Sequence, residues 1–431
     1  DNMVVDMAAP GNGGGLHVSG MTTMVSIEDT DVKRNKAALE GGGLWNQLGS
    51  TMIVLSSMVS DNEALGAGAA NGGGGIFNVG GPMLIADGTM ITNNIASGTS
   101  GSGGGILSKA DSVIITDAVV NNNIARRAGG GIEIIDGVLV IVDSDLNENF
   151  VLTAAMPGNG GGLHVSGMST MTTFINVNVM DNVAAQEGGG LWNQTGSTMV
   201  VESSTITGND GQGPAAHDGG GGIFNSGGTL LVCDGTILDD NHATGLSGSG
   251  GAILSTDGMV TVKNTDITNN VARRAGAGIE IIDGTLNVDS SFVDANTITV
   301  IPNPGNGGGL HITGDATVAN ITNSTFSNNI VGSEGGGLWN NGGVMTISNT
   351  MVNDNVASGD DATNGGGGVF NDGGTLIINM NTMISNNLAD GTSGSGGGVF
   401  STDGAVTIDS TSIKNNIARR AGGGIEMING S

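Results

Sequence analysis

The chain has 431 residues, of which 82 are glycine; aromatics make up only 3% and Tyr is absent. Lys and Arg number 12 against 40 Asp and Glu, a formal net charge of −28. Phosphate binding needs clustered cations, so this balance excludes a nucleic-acid partner and argues against docking on anionic membranes.

Apolar residues still make up 37% of the chain, and the glycines fall at fixed places, so an ordered fold is expected and not a disordered glycine-rich tract. Cys233 is the only cysteine, which rules out an intrachain disulfide and leaves the redox compartment unread. No apolar run reaches 18 residues, so no direct membrane insertion is expected. The sequence opens at Asp1 without Met and stops at Ser431 in mid-pattern, as expected of a fragment of a longer repetitive chain.

In chain order, one phrase recurs: two to four glycines, an aliphatic residue, then a variable residue. Its last glycine stands at Gly15, Gly43, Gly75, Gly105 and Gly131. It returns at Gly162, Gly190 and Gly222, with Ala252 and Gly278 holding the next two places, and again at Gly309, Gly337, Gly368, Gly398 and Gly424. Successive spacings of 28, 32, 30, 26 and 31 repeat, so five unequal units make a super-repeat of 147 residues. The blocks run approximately over residues 1–148, 149–295 and 296–431, read as a single continuous domain.

A second feature is phased to the first. Eighteen to twenty residues after each such glycine stands an asparagine, three places beyond an aliphatic residue or Phe, as in Val32-x-x-Asn35 and Phe326-x-x-Asn329. The series is Asn35, Asn62, Asn94, Asn123 and Asn149, then Asn182, Asn209, Asn241, Asn270 and Asn296, then Asn329, Asn355, Asn387 and Asn416. Between these markers residues alternate with period two, as in Met24-Val25-Ser26-Ile27-Glu28 and Leu286-Asn287-Val288-Asp289, which reads as strand.

Short strands punctuated by Gly and Asn at this period predict an all-β, right-handed parallel β-helix of about fifteen coils, its hand taken from the crossover preference. Glycine ahead of each first strand permits positive φ and close approach of coils. The phased asparagines are expected to adopt the left-handed conformation and to form a side-chain ladder along one corner. Nineteen methionines suggest a narrow lumen filled by adaptable side chains.

The Gly-Gly-Gly-Leu/Ile phrase followed by aliphatic-x-x-Asn resembles the GGA[I/L/V] and FxxN repeats of polymorphic outer membrane proteins and, more loosely, the pectin-lyase-like β-helix superfamily. The resemblance spans the whole chain, with GGG in place of GGA almost throughout and Phe kept clearly only at Phe326. It implies a secreted or cell-surface, adhesin-like passenger.

The residue after the aliphatic runs His17, Trp45, Phe77, Leu107, Glu133; then His164, Trp192, Phe224, Leu254, Glu280; then His311, Trp339, Phe370, Phe400, Glu426. Alternation places it on the outer face. Three readings follow for Trp45, Trp192, Trp339, Phe77, Phe224 and Phe370: coverage by a loop of the same chain or simple packing, lateral self-association, or binding of a ligand such as a surface glycan.

Arginine pairs at Arg126–Arg127, Arg273–Arg274 and Arg419–Arg420 precede each fifth-unit glutamate. They are expected to neutralise carboxylates such as Asp136 or Asp283, with an inter-subunit salt-bridge site as the alternative. No EF-hand loop or triad pattern occurs. No cofactor is expected, although weak Ca²⁺ binding is left open at Asp360–Asp361. Near-copies of one block suit a spacer better than a single active groove. The expectation is thus a non-enzymatic shaft of an extracellular or cell-surface appendage, self-associating into a filament or homo-oligomer. A glycan-binding passenger is the alternative; a polysaccharide lyase, a hydrolase and an ice-binding protein rank lower.

Overall fold

The structure is a computed structural model that describes residues 1–5, 11–152, 156–298 and 305–431. The chain divides into two compact units, Asp1–Gln212 and Gly213–Ser431. Each is an all-β parallel solenoid, and no helix occurs among the described residues. One coil contributes four strands, such as Leu16–Val18, Met24–Glu28, Asp31–Lys33 and Lys36–Ala37. The two-residue fourth strand follows each ladder asparagine and is too short to register as a period-two pattern.

Equivalent strands of successive coils pair in parallel and build four sheets. In the first unit each sheet holds seven strands; in the second, the first sheet holds eight and the others seven. The register reproduces the repeat spacing. In the first unit Leu16, Leu44, Ile76, Ile106, Ile132, Leu163 and Leu191 pair in turn. In the second unit the same column runs Ile223, Ile253, Ile279, Leu310, Leu338, Val369, Val399 and Ile425.

Alternation decides the core. In Thr51–Leu55, Met52 and Val54 are fully buried while Thr51, Ile53 and Leu55 face outward. The interior is a stack of Ile, Leu, Val, Phe and Ala. Among the described residues only Met52, Met83, Met199 and Met345 join it, whereas Met21, Met24, Met168 and Met171 are exposed. The expected methionine-filled lumen is therefore corrected: Met24 and Met171 occupy outward strand positions, and Met21 and Met168 lie in turns.

The asparagine ladder forms as expected. Asn35, Asn62, Asn94, Asn123, Asn149, Asn182 and Asn209 are linked by Nδ2–H···Oδ1 bonds of 2.9–3.0 Å in the first unit. Asn241, Asn270, Asn296, Asn329, Asn355, Asn387 and Asn416 are linked likewise in the second. Most rungs are fully satisfied. Asn270 donates to Asn296 Oδ1 and to the Leu238 carbonyl, and its own Oδ1 accepts both the backbone N–H and Nδ2 of Asn241.

One expectation about the corner is corrected. The left-handed residue is the one before the ladder asparagine: Asn93, Asp181, Asn269 and Asp354 have φ of 56, 54, 55 and 58°. The preceding residue turns the chain, which leaves the asparagine free to aim its amide inward along the stack.

Replacing Asn270 by Ala removes both donors and both acceptor positions from a fully buried site. A loss of about 1–3 kcal/mol is expected, read as a lowered thermal midpoint. An unchanged midpoint would remove the ladder from the interactions that hold the coils.

Candidate functional site

Between its two end strands the first sheet is buried on both faces; in Leu44–Asn46 all three residues are buried. Leu44 and Asn46 point to the lumen and Trp45 points out, as alternation requires. Yet Trp45, Trp192 and Trp339 are only 9, 9 and 6% exposed, and Phe77, Phe224 and Phe370 at most 3%. Of the three readings of this strip, the burial fits coverage by the same chain and packing. The turn ahead of each strand folds across it, with Gly41 and Gly335 so placed that a Cβ would lie 3.0 and 2.8 Å from the Trp Cβ.

A glutamate fastens each cover. Trp339 Nε1 donates to Glu334 Oε2 at 3.1 Å. Asn306 from the preceding coil and Asn364 from the following one donate to the same carboxylate at 3.2 and 2.8 Å. Glu40 takes the same bonds from Trp45, Asn12 and Asn71, and Glu187 from Trp192 and Asn159. Sequence reasoning passed over these glutamates, although Glu-Gly-Gly-Gly-Leu-Trp recurs at 40–45, 187–192 and 334–339.

Below each tryptophan lies a stacked histidine. His17–Trp45, His164–Trp192 and His311–Trp339 have ring centroids 4.1, 4.4 and 4.3 Å apart and planes within 20°. Below the histidine comes a glutamate: His311 Nδ1 is 3.4 Å from Glu280 Oε1, and His164 Nδ1 is 3.4 Å from Glu133 Oε1. Trp339, Phe370 and Phe400 continue the column as one apolar cluster, as do Trp45, Phe77 and Leu107. Lys109 sits 4.6 Å above the Phe77 ring, and burial draws its pKa down against the pull of Glu40 and Glu133.

The arginine pairs split in role. Arg274 Nη1 reaches Glu280 at 3.1 Å, Ser249 Oγ at 3.2 Å and the Ala216 carbonyl at 3.4 Å, so one guanidinium ties three coils. Arg127 reaches Glu133 and Ser102, while Arg420 reaches Glu426, Ser395 and Ala362. Their partners are these strand glutamates, and not the expected Asp136 or Asp283; Asp136 instead accepts the Met168 N–H. Among the described residues Arg126, Arg273 and Arg419 form no ion pair, and the Nε atoms of Arg126 and Arg273 are buried without a partner.

Among the described residues no three His, Cys, Asp or Glu side chains are grouped to hold a metal ion. Asp360 accepts the Thr392 N–H and hydroxyl, which hold its carboxyl below the ordinary range. The acid–base atoms of Glu280 and His311 have no exposure. Any substrate would have to open the covering turns to reach them. No protein-family model matches the chain, and no curated protein matches it.

The two buried glutamates of the second unit titrate in opposite senses. Burial alone would raise Glu280, but His311, Arg274 and the Ser249 hydrogen bond outweigh it and hold the carboxyl below its usual range. Burial pushes Glu334 up, beyond what the bonds from Trp339, Asn364 and Asn306 recover, and Asp372 adds to the rise. The contribution of Glu280 is complete above the unfolded value of about 4.3 and is lost as pH falls through its lower folded value. That of Glu334 is complete below the unfolded value and is lost as pH rises through its raised one.

Glu280→Gln should flatten the limb of a thermal midpoint-versus-pH curve below the unfolded carboxylate value, and Glu334→Gln the limb that begins at that value and runs upward. Superimposable curves for all three proteins would refute this assignment. Trp339→Ala opens a cavity between His311 and Phe370 and should cost about 3–5 kcal/mol in denaturant unfolding; a cost below about 1 kcal/mol would mean the covered column adds little beyond the backbone ladders.

Proposed function

We propose that the chain is a structural, non-enzymatic stretch of an extracellular or cell-surface appendage, lengthened by tandem coils and associating with further copies of itself. The observation that carries this reading is the reuse of one buried network at one register. Arg127–Glu133–His164–Trp192 in the first unit and Arg274–Glu280–His311–Trp339 in the second are near-copies. A site built for a single substrate would differ from block to block, whereas a spacer needs sameness. The polar chemistry of the chain is also spent internally, on ladders and cover-fastening carboxylates. The resemblance to polymorphic outer membrane protein repeats supports a surface location, and the acidic composition suits a soluble polymer.

Glycan binding is the weaker reading, because the aromatic rings a sugar would stack on are covered.

Electron microscopy of the native protein from its source tests the proposal. Five strand spacings of about 4.8 Å predict filaments with an axial repeat near 24 Å or a multiple of it. Short discrete particles with no such repeat would overturn the appendage reading.

A further inference from the structure

Parallel sheets are normally covered on both faces. The second sheet of the first unit breaks that rule. Its central outward column runs Ile53, Leu84, Ile114, Val140, Thr173 and Val200, paired in register strand to strand. Beside it Val138 and Met171 are 41 and 55% exposed, and Ile114 itself is 41% exposed. From Thr51–Leu55 to Met171–Ile175 no outward position on this face carries a charge; Glu28 and Glu202 mark its ends. The corresponding face of the second unit is polar, with Lys263, Asp289 and the Asn287–Asn320 amide pair on it. The apolar character is therefore not a by-product of the repeat.

We infer that this face of the first unit is the surface on which a second copy of the chain packs, sheet against sheet. The inference names the contact for the self-association proposed above and rests on that reading for its biological setting. Two facts select this occupant. Chains carrying −28 each repel wherever carboxylates oppose one another, and an uncharged flat face lets them approach. The outward strand positions also carry no cation and no aromatic ring with which to hold an anion, a nucleic acid or a sugar; their only donors are hydroxyls such as those of Thr51, Ser112, Thr116 and Thr173. Together with the edge strands that carry Glu28 and Glu202, seven strands of about five residues span roughly 29 by 16 Å, on the order of 500 Å² per copy. Two such faces bury about 1,000 Å², near the lower end of specific interfaces, so the pairing is reversible and concentration-dependent.

In any isologous face-to-face pairing the centre of the face meets itself. Ile114 is at that centre, midway along Ser112–Thr116, the fourth of seven strands. The test uses the full chain. Sedimentation should show a monomer–dimer equilibrium in the wild type, and Ile114→Glu should raise its dissociation constant at least about tenfold. Thr346→Glu, on the polar face of the second unit, should leave it unchanged. Ile114→Cys with a short bis-maleimide should give a covalent dimer, against a low background because Cys233 is buried. This second variant keeps the test decisive if the glutamate variant misfolds. A wild type monomeric at all concentrations, or an equilibrium unmoved by Ile114→Glu with no cross-link at Ile114→Cys, would overturn the inference. Cross-linked dimers from a source that shows no filaments would support the face and defeat only the appendage reading.

Discussion

Neighbouring coils meet at one corner with no space for a side chain, and the remaining structure follows from that contact. At the glycine run ahead of the first sheet, a Cβ on Gly42 would lie 2.3 Å from the Gly74 carbonyl oxygen, and one on Gly74 would lie 2.4 Å from that of Gly104. The glycine two places before the last of the run also needs a left-handed backbone, with φ of 64, 61 and 60° at Gly41, Gly73 and Gly103. Glycine satisfies both demands at once. With the backbones so close, each coil takes its register from the one beside it. The amides of Asn35 and Asn62 or of Asn329 and Asn355 then come within bonding distance without adjustment. The same turn lies across the outer face of the first sheet and closes over the tryptophans.

The fold was legible because its markers are local and repeat. Gly15, Gly43 and Gly75 gave the coil length, and the register of Leu16, Leu44 and Ile76 reproduces it. The ladder was legible because asparagine at one fixed phase has few other uses. The corner conformation was less so: Asn93-Asn94 and Asn269-Asn270 place two asparagines side by side, and only backbone geometry tells which turns and which bonds. The role of Trp45 was ambiguous for a different reason. Alternation gives the face of a strand, while coverage of that face depends on how the glycine-rich turn just ahead of the strand folds back over it. Glu334 was missed because it stands outside any strand, and its partners Asn306 and Asn364 belong to other coils.

Electrostatics inside the coils contrasts with that outside. Exposed carboxylates dominate the surface, yet some of the few cations are held inside: Arg274 with Glu280, and Lys109 over Phe77 beside Glu40. A buried carboxylate is tolerable only with a partner cation and hydrogen bonds. That accounts for an arginine six residues before each buried strand glutamate. Arg126 and Arg273, next in sequence, form no ion pair among the described residues, and nothing in the structure explains their presence.

The phase between Glu280 and His311, like that between Glu133 and His164, carries a consequence for how such a chain can change length. Losing the histidine coil would set the glutamate against a tryptophan, and duplicating the glutamate coil would set it against a second glutamate; either strands charge in the column. Lengthening or shortening by a whole block of five returns glutamate to histidine and tryptophan to its fastening carboxylate. Unequal exchange between tandem copies of the coding sequence thus preserves this column in steps of one block, whereas a smaller step that breaks at the glutamate–histidine junction does not.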